Sequence, residues 1–233
     1  LELINCLIKE IEKIAPNIEF SIGPGFFDLR PFQWWNYNLP ENGNFQINLR
    51  YTGRYSFYKK KSKNELIDSF RPDDKRKKIR KILKENKLTV IPSKNIDTDI
   101  HLEYYEKTLM KSNVKLDDET KNNFKKLLKL SDIKYSKYTS IKVLELFEKS
   151  KNLPIGFQLL LIGKKQVYAI AQSISEEAKN LNGNIMLTYS SLIHANENSS
   201  IFDFNGANSP DRADDKHAYG AESEQYFNLR LKK

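Results

Sequence analysis

The sequence predicts a mixed α/β fold, on three observations. Apolar residues recur at helical spacing over 1–14, 99–112, 118–130 and 184–198. Between these lie runs of strand length that alternate or are continuously apolar: 88–91, 141–147, 155–162, 166–174 and 201–205. Only short turns, Asn152-Leu153-Pro154 and Gly163-Lys164-Lys165, separate the middle runs, so Ile141–Ile174 reads as an antiparallel meander flanked by helices.

In chain order, Leu3, Ile4, Leu7, Ile8, Ile11 and Ile14 mark an amphipathic first helix that Pro16 ends. Ile18–Ile22 alternates as a strand, and Gly23-Pro24-Gly25 breaks it. An aromatic stretch from Asp28 to Tyr37 follows, then an alternating strand from Phe45 to Phe57. Ser62 and Glu65 form a capping box for a short helix through Phe70. Pro72, Asp73 and Asp74 start the next helix, with Ile79, Ile82 and Leu83 as its apolar stripe. In the two helices 99–112 and 118–130, Leu102, Tyr105, Leu109, Phe124, Leu127 and Leu128 take the inner positions. Gln158–Ile162 is apolar enough for a strand covered on both faces. After Phe202-Asp203-Phe204 comes Asn205-Gly206, a turn-rich segment, a short charged piece, and a last alternating run from Tyr226 to Leu231. A buried strand that empties into a polar loop is where α/β sheets place ligands.

The chain has 233 residues, 39% of them hydrophobic, which suffices for a core and excludes a disordered composition. No apolar run reaches the length of a transmembrane helix, and Glu2, Lys9, Glu10, Glu12 and Lys13 interrupt the first segment, so it is not a secretory signal. A lone Cys6, read as a half-buried helix residue, fits a reducing, cytoplasmic setting. The net charge of +9 concentrates between Lys59 and Lys87, where thirteen basic residues face five acidic ones. Such a cluster attracts phosphates on RNA, coenzyme or an anionic membrane surface, or is simply a solvated helix face. His101, His194 and His217 are not spaced as metal ligands, so no metal is expected, and no nucleophile triad, Walker loop or dinucleotide fingerprint is present. Arg30 and Trp34 in the aromatic stretch are candidate substrate-binding residues able to stack a base or sugar, with ordinary core packing as the alternative.

Phe202-Asp203-Phe204-Asn205-Gly206, then Lys216 three residues before Tyr219-Gly220-Ala221, then the closing run through Tyr226 resemble the C-terminal signature of the Fem-like branch of the GNAT acyltransferase superfamily. Asn205 stands where that signature has an acid. Arg30-Pro31-Phe32 with its tryptophans and Arg54-Tyr55-Ser56 resemble the stretches that close the first of two GNAT-like halves in that family. The resemblance implies a GNAT-like mixed sheet flanked by helices. It also implies that residues 1–57 are the remnant of a preceding half-domain and that 58–233 form the acyltransferase domain. The opening on Leu1 agrees with a missing upstream piece.

The resemblance further implies an enzyme in which a bound amine attacks an activated acyl carbonyl directly. The donor would be acyl-CoA and the acceptor a small amine. The alternative is Fem-type aminoacyl transfer from charged tRNA to a cell-envelope precursor. A non-catalytic module binding RNA or an anionic surface is the reading from another class. Lys216 takes the place of the family's functional lysine. Asp203, on the strand face opposite Phe202, is a candidate proton acceptor, and Tyr219, with Tyr168 and Tyr189 as unranked alternatives, a proton donor. Asn180, Gly183 and Asn184 occupy the junction where GNAT enzymes hold the coenzyme pyrophosphate, with Gly183 keeping the middle glycine, while a plain helix-capping turn explains them equally. Arg212 is the candidate phosphate clamp.

Overall fold

The computed structural model describes residues 2–15, 18–26, 28–132, 134–136 and 139–232; the side chains of 132, 134–136 and 210–212 lie outside that description. The chain divides into two compact units, one of residues 1–53, 206–213 and 223–233, the other of 54–205 and 214–222. The chain passes from one unit to the other between Gly53 and Arg54, and its last strand groups with its first residues. The reason is strand pairing: β1 (Glu19–Ile22) pairs antiparallel with β9 (Glu222–Lys232), Glu19 opposite Arg230 and Ile22 opposite Phe227.

In the first unit, β9 lies between β1 and β2 (Asn44–Ser56). Its core joins Ile8 of α1 (Glu2–Ile14) to Ile18, Phe45, Leu229 and Leu231, with Phe32 and Trp35 from the short helix α2 (Arg30–Gln33) and its end. Edge-on ring contacts among Phe20, Phe32 and Phe45 fix this packing. The aromatic stretch thus splits, with Phe32 and Trp35 inside and Trp34 exposed. Helix α1 corrects its predicted stripe, because Ile8 turns inward while Leu3, Leu7 and Ile14 are exposed. Cys6 is exposed too, not half-buried.

The second unit is built on a mixed sheet in the order β2–β8–β7–β6–β5–β3, to which β2 contributes its last three residues. Its strands are β3 (Leu88–Pro92), β4 (Lys134–Ser136, paired to β5), β5 (Thr139–Glu148), β6 (Gly156–Ile162), β7 (Gln166–Ile174) and β8 (Ile201–Asp203). The predicted meander is present: β5, β6 and β7 pair antiparallel in turn. The pairing of β7 with β8 is parallel.

Alternation in the strands divides two cores. Leu144, Leu146, Leu160, Val167 and Phe202 pack with α3 (Lys63–Asp68), α4 (Asp73–Glu85) and α8 (Gly183–Asn198) through Leu66, Ile79, Leu187 and Leu192. Val143, Phe157, Leu159 and Ala171 pack with α5 (Thr98–Met110) and α6 (Asp118–Lys129) through Leu102, Phe124 and Leu128. Strand β6 is covered on both faces, as its apolar run requires. The capping box of Ser62 and Glu65 starts α3 as predicted, with both reciprocal bonds made. Among the helices without a sequence signal are α7 (Glu176–Asn180), capped by the Ser175 side chain, and α9 (Pro210–Ala218).

One buried base makes the packing of α8 testable. Burial, with the Lys142 ammonium adding a smaller effect, lowers the His194 imidazole to about 4. The neutral ring is the form the fold accepts. The contribution of His194 to stability is therefore complete above its unfolded pKa near 6.5 and is lost as pH falls from there through about 4. Urea unfolding across pH 4–7 should show this decline in the native protein, and His194→Leu should lack it.

Candidate active site

Three neighbouring strands set one polar row. In β2 and β8 Arg54 lies opposite Asp203, and in β7 and β8 Tyr168 lies opposite Asp203. Side chains alternate along a strand, so residues next to the core-facing Tyr55, Val167 and Phe202 share the other face. The Arg54 guanidinium is 3.8 Å from the Asp203 carboxylate, both side chains being close to fully buried. Arg54 also donates to Gln166 Oε1 at 2.9 Å. Asp203 accepts the backbone N–H of Asn205 at 2.8 Å, which folds the chain sharply where β8 ends. Asn205 and Gly206 both take positive φ there, at 56° and 64°. Burial, then the Asp203 charge, raises the Tyr168 phenol above its ordinary range, so it stays protonated.

Lys216, in α9, donates from Nζ to the backbone carbonyl of Asn205 at 2.5 Å. Its ammonium thus lies just past the end of β8, on the last residue of the Asp203–Asn205 turn. Tyr219 follows a turn later and is enclosed, 1% exposed, against Phe70 and Phe204. The Lys75 ammonium lies 3.7 Å from its ring centroid, and Lys75 also pairs with Asp215 at 2.5 Å. Burial, then Asp215, pushes the Tyr219 phenol far up. Gly220 is required by contact, since at φ +86° a Cβ would come within 2.8 Å of the Ser69 carbonyl. The Tyr219-Gly220 pair therefore reads as packing; Tyr168, only half-buried, is the better-placed hydroxyl.

The remaining sequence candidates are dispersed. Gly183 begins α8 and is buried, and a Cβ there would come within 2.6 Å of Leu146 Cδ2 and 2.9 Å of the Ala178 carbonyl, so close packing alone demands glycine. Asn184 is half-buried in the first turn and Asn180 is exposed. The side chain of Arg212 lies outside the described residues. Arg30 and Trp34 belong to the first unit, where they border a cavity of about 340 Å³. Arg30 stacks on Trp34 at 5.7 Å and is bound through two nitrogens to Asp28, whose carboxyl that guanidinium holds down at about 2. Much of the basic cluster is engaged: Arg76 pairs with Asp73, Lys78 with Asp74 and Arg80 with Asp68. Among the described residues no three His, Cys, Asp or Glu side chains converge as metal ligands, and no helix is long and apolar enough to cross a membrane.

Arg54, Gln166 and the β7 bulge escaped the sequence reading. The bulge arises where Leu160 pairs with Ala169 but Leu159 with Ala171, which leaves Ile170 without a partner. Arg54 was within reach, as the first residue of the Arg54-Tyr55-Ser56 run. Its partner Asp203 is 149 positions along the chain, and only the strand order joins them.

Asp203→Asn keeps the side chain's shape and removes its charge, leaving the Arg54 guanidinium buried without its carboxylate. Denaturant unfolding should show a loss of about 3–5 kcal/mol, and the double variant with Arg54→Met should recover much of it.

No protein-family model matches the sequence, and no curated protein matches it. Solved structures do match its fold. FemX superposes over 97% of this chain and 76% of its own, with a TM-score of 0.69 at 13% identity. A tandem GNAT protein from the clavulanic acid biosynthesis pathway, solved without AcCoA, covers 97% and 68% at a TM-score of 0.58 and 7% identity. A GCN5-related N-acetyltransferase from Kribbella flavida covers 97% and 74% at 0.51 and 9%. The fold of this chain is thus similar to that of FemX and of the GNAT proteins.

Proposed function

We propose that this protein is a GNAT-fold acyltransferase in which an amine attacks an activated acyl carbonyl beside the end of β8. The observation that carries this reading is the polar row at the β7–β8 junction with the Lys216 ammonium at its end. In the reaction the amine nitrogen bonds to the carbonyl carbon, the carbonyl electrons move onto oxygen, and collapse re-forms the carbonyl and expels the leaving group while the amine gives its proton to solvent water. The Lys216 ammonium stabilises the oxyanion. The Tyr168 hydroxyl, kept protonated by its surroundings, supplies the proton to the leaving group. Asp203, already engaged by Arg54 and the Asn205 amide, holds that turn in place and is a positioning residue.

The donor in this proposal is acyl-CoA, with the first amides of α8 at Gly183 and Asn184 and the neighbouring Asn180 receiving its phosphates. The presence of AcCoA in the name of a structurally similar tandem GNAT protein supports that choice. Aminoacyl-tRNA is the second reading, supported by the likeness to FemX. Arg30 and Trp34 are assigned to acceptor recognition, through stacking and charge.

Incubation with acetyl-CoA or with charged tRNA and a panel of amines, read by mass spectrometry, identifies the donor. Lys216→Met should lower transfer by about 100-fold or more, the effect of removing one oxyanion donor. Its melting temperature should stay near the native value, because a hydrogen bond from a half-exposed lysine to a carbonyl adds only about 1 kcal/mol. Full turnover in Lys216→Met, or transfer from neither donor, contradicts the proposal.

A further inference from the structure

A helix leaves its last four carbonyls without partners inside it, and those of α9 are all accounted for. The Lys216 carbonyl accepts the backbone N–H groups of Tyr219 and Ala221, and the His217 carbonyl accepts that of Gly220. The other two are reached from α4 and the turn before it. The backbone N–H of Arg71 donates to the Ala218 carbonyl at 3.1 Å. Lys75 donates from Nζ to the Asp215 carbonyl at 3.4 Å and to the Asp215 carboxylate at 2.5 Å. The two carbonyls held from outside thus flank Lys216. All these residues lie in the larger unit.

Lys75 differs from its neighbours on α4. Arg76, Lys78 and Arg80 pair with the nearby acids Asp73, Asp74 and Asp68, and exposed pairs of that kind add little. Lys75 instead reaches 140 positions along the chain, and its side chain is 15% exposed. Its ammonium also lies 3.7 Å from the centroid of the Tyr219 ring. That ring stacks on Phe204 at 6.0 Å, and Phe204 precedes Asn205, whose carbonyl accepts Lys216. The contacts close a loop that runs from Lys75 through Tyr219, Phe204, Asn205, Lys216 and Asp215 back to Lys75. A cation at the C-terminal end of α9 also meets the negative end of its dipole.

We propose that Lys75 is a positioning residue for acyl transfer, holding the last turn of α9 so that the Lys216 ammonium stays at the end of β8. The assignment rests on Lys216 as the oxyanion donor, and Lys75 acts only through it. Without Lys75 the Asp215 carbonyl and carboxylate turn to water, and the bond from Lys216 to Asn205 is no longer fixed from behind. A misplacement of about 1 Å can cost about 100-fold in rate.

Two measurements on the same variants test this. In transfer assays Lys75→Met should lower kcat by about tenfold to 100-fold with KM nearly unchanged. Lys75→Arg, which keeps the charge and the ring contact, should recover most of that loss. In the Lys216→Met background Lys75→Met should cost nothing further. Separately, acetylation by sulfosuccinimidyl acetate, read by peptide mass spectrometry, reports on the Lys216 amine whatever the natural donor. Lys216 should label about fivefold faster in Lys75→Met than in the native protein, one hydrogen bond being worth a factor of this order, and at the native rate in Lys75→Arg. Circular dichroism checks the fold; if Lys75→Met loses it, Asp215→Asn, which opens the clamp from its exposed side, takes its place in every arm. Native kcat in Lys75→Met, an equal loss in the Lys216→Met background, or unchanged labelling overturns the proposal and leaves the acyl-transfer reading in place. If the native protein transfers from neither donor, that reading fails, and the labelling rates alone decide whether Lys75 holds Lys216.

Discussion

The constraint on which the candidate site depends is the short parallel pairing of β7 with β8. It joins residues 166–168 to 201–203, and beyond it β7 runs on to Ile174 while β8 has ended. Register here decides everything about the row. A slip of one residue would turn Asp203 toward Phe70 and Leu160 and bring Phe202 out, because side chains alternate faces. The buried carboxylate in turn requires Arg54, which β2 supplies from the other flank of β8. The bulge at Ile170 bends β7 within a few residues of this junction, as bulges beside functional sites do.

The sheet thus separates two kinds of chemistry. On one face Phe202, Val167 and Leu160 are sealed under α8. On the other face the same strands present Arg54, Asp203, Tyr168 and Gln166 as a charged and hydrogen-bonded row. Lys216 reaches the row's end from α9, a helix that Pro210 opens and that three aspartates and an arginine keep polar.

Most of the fold was legible because its elements are long and their periodicity unambiguous. The meander from Ile141 to Ile174 and helix α8 carry enough apolar residues at the right spacing to be read directly. Helix α9 was not, since Ala213 and Ala218 are its apolar residues and no stripe marks it. In α1 six apolar residues form one wide stripe, but the core covers one edge of it, with Ile8 buried, Ile4 and Ile11 partly buried, and Leu3, Leu7 and Ile14 exposed. Lys216 and Asp203 were found through a motif. That Asp203 is tied to Arg54, and that Tyr219 is walled in by Phe70 and Phe204, follow from strand order and packing that no local pattern records.

The most direct test of the proposed acyl-transfer centre is a crystal structure with a non-hydrolysable acyl donor, as a ketone analogue of acetyl-CoA and as a 3′-amide analogue of aminoacyl-adenosine. The account predicts that one of them places its carbonyl oxygen within hydrogen-bond distance of Lys216 Nζ, beside Tyr168, at the β7–β8 junction. A donor carbonyl bound elsewhere on the protein, with Lys216 still committed to the Asn205 carbonyl, would contradict it.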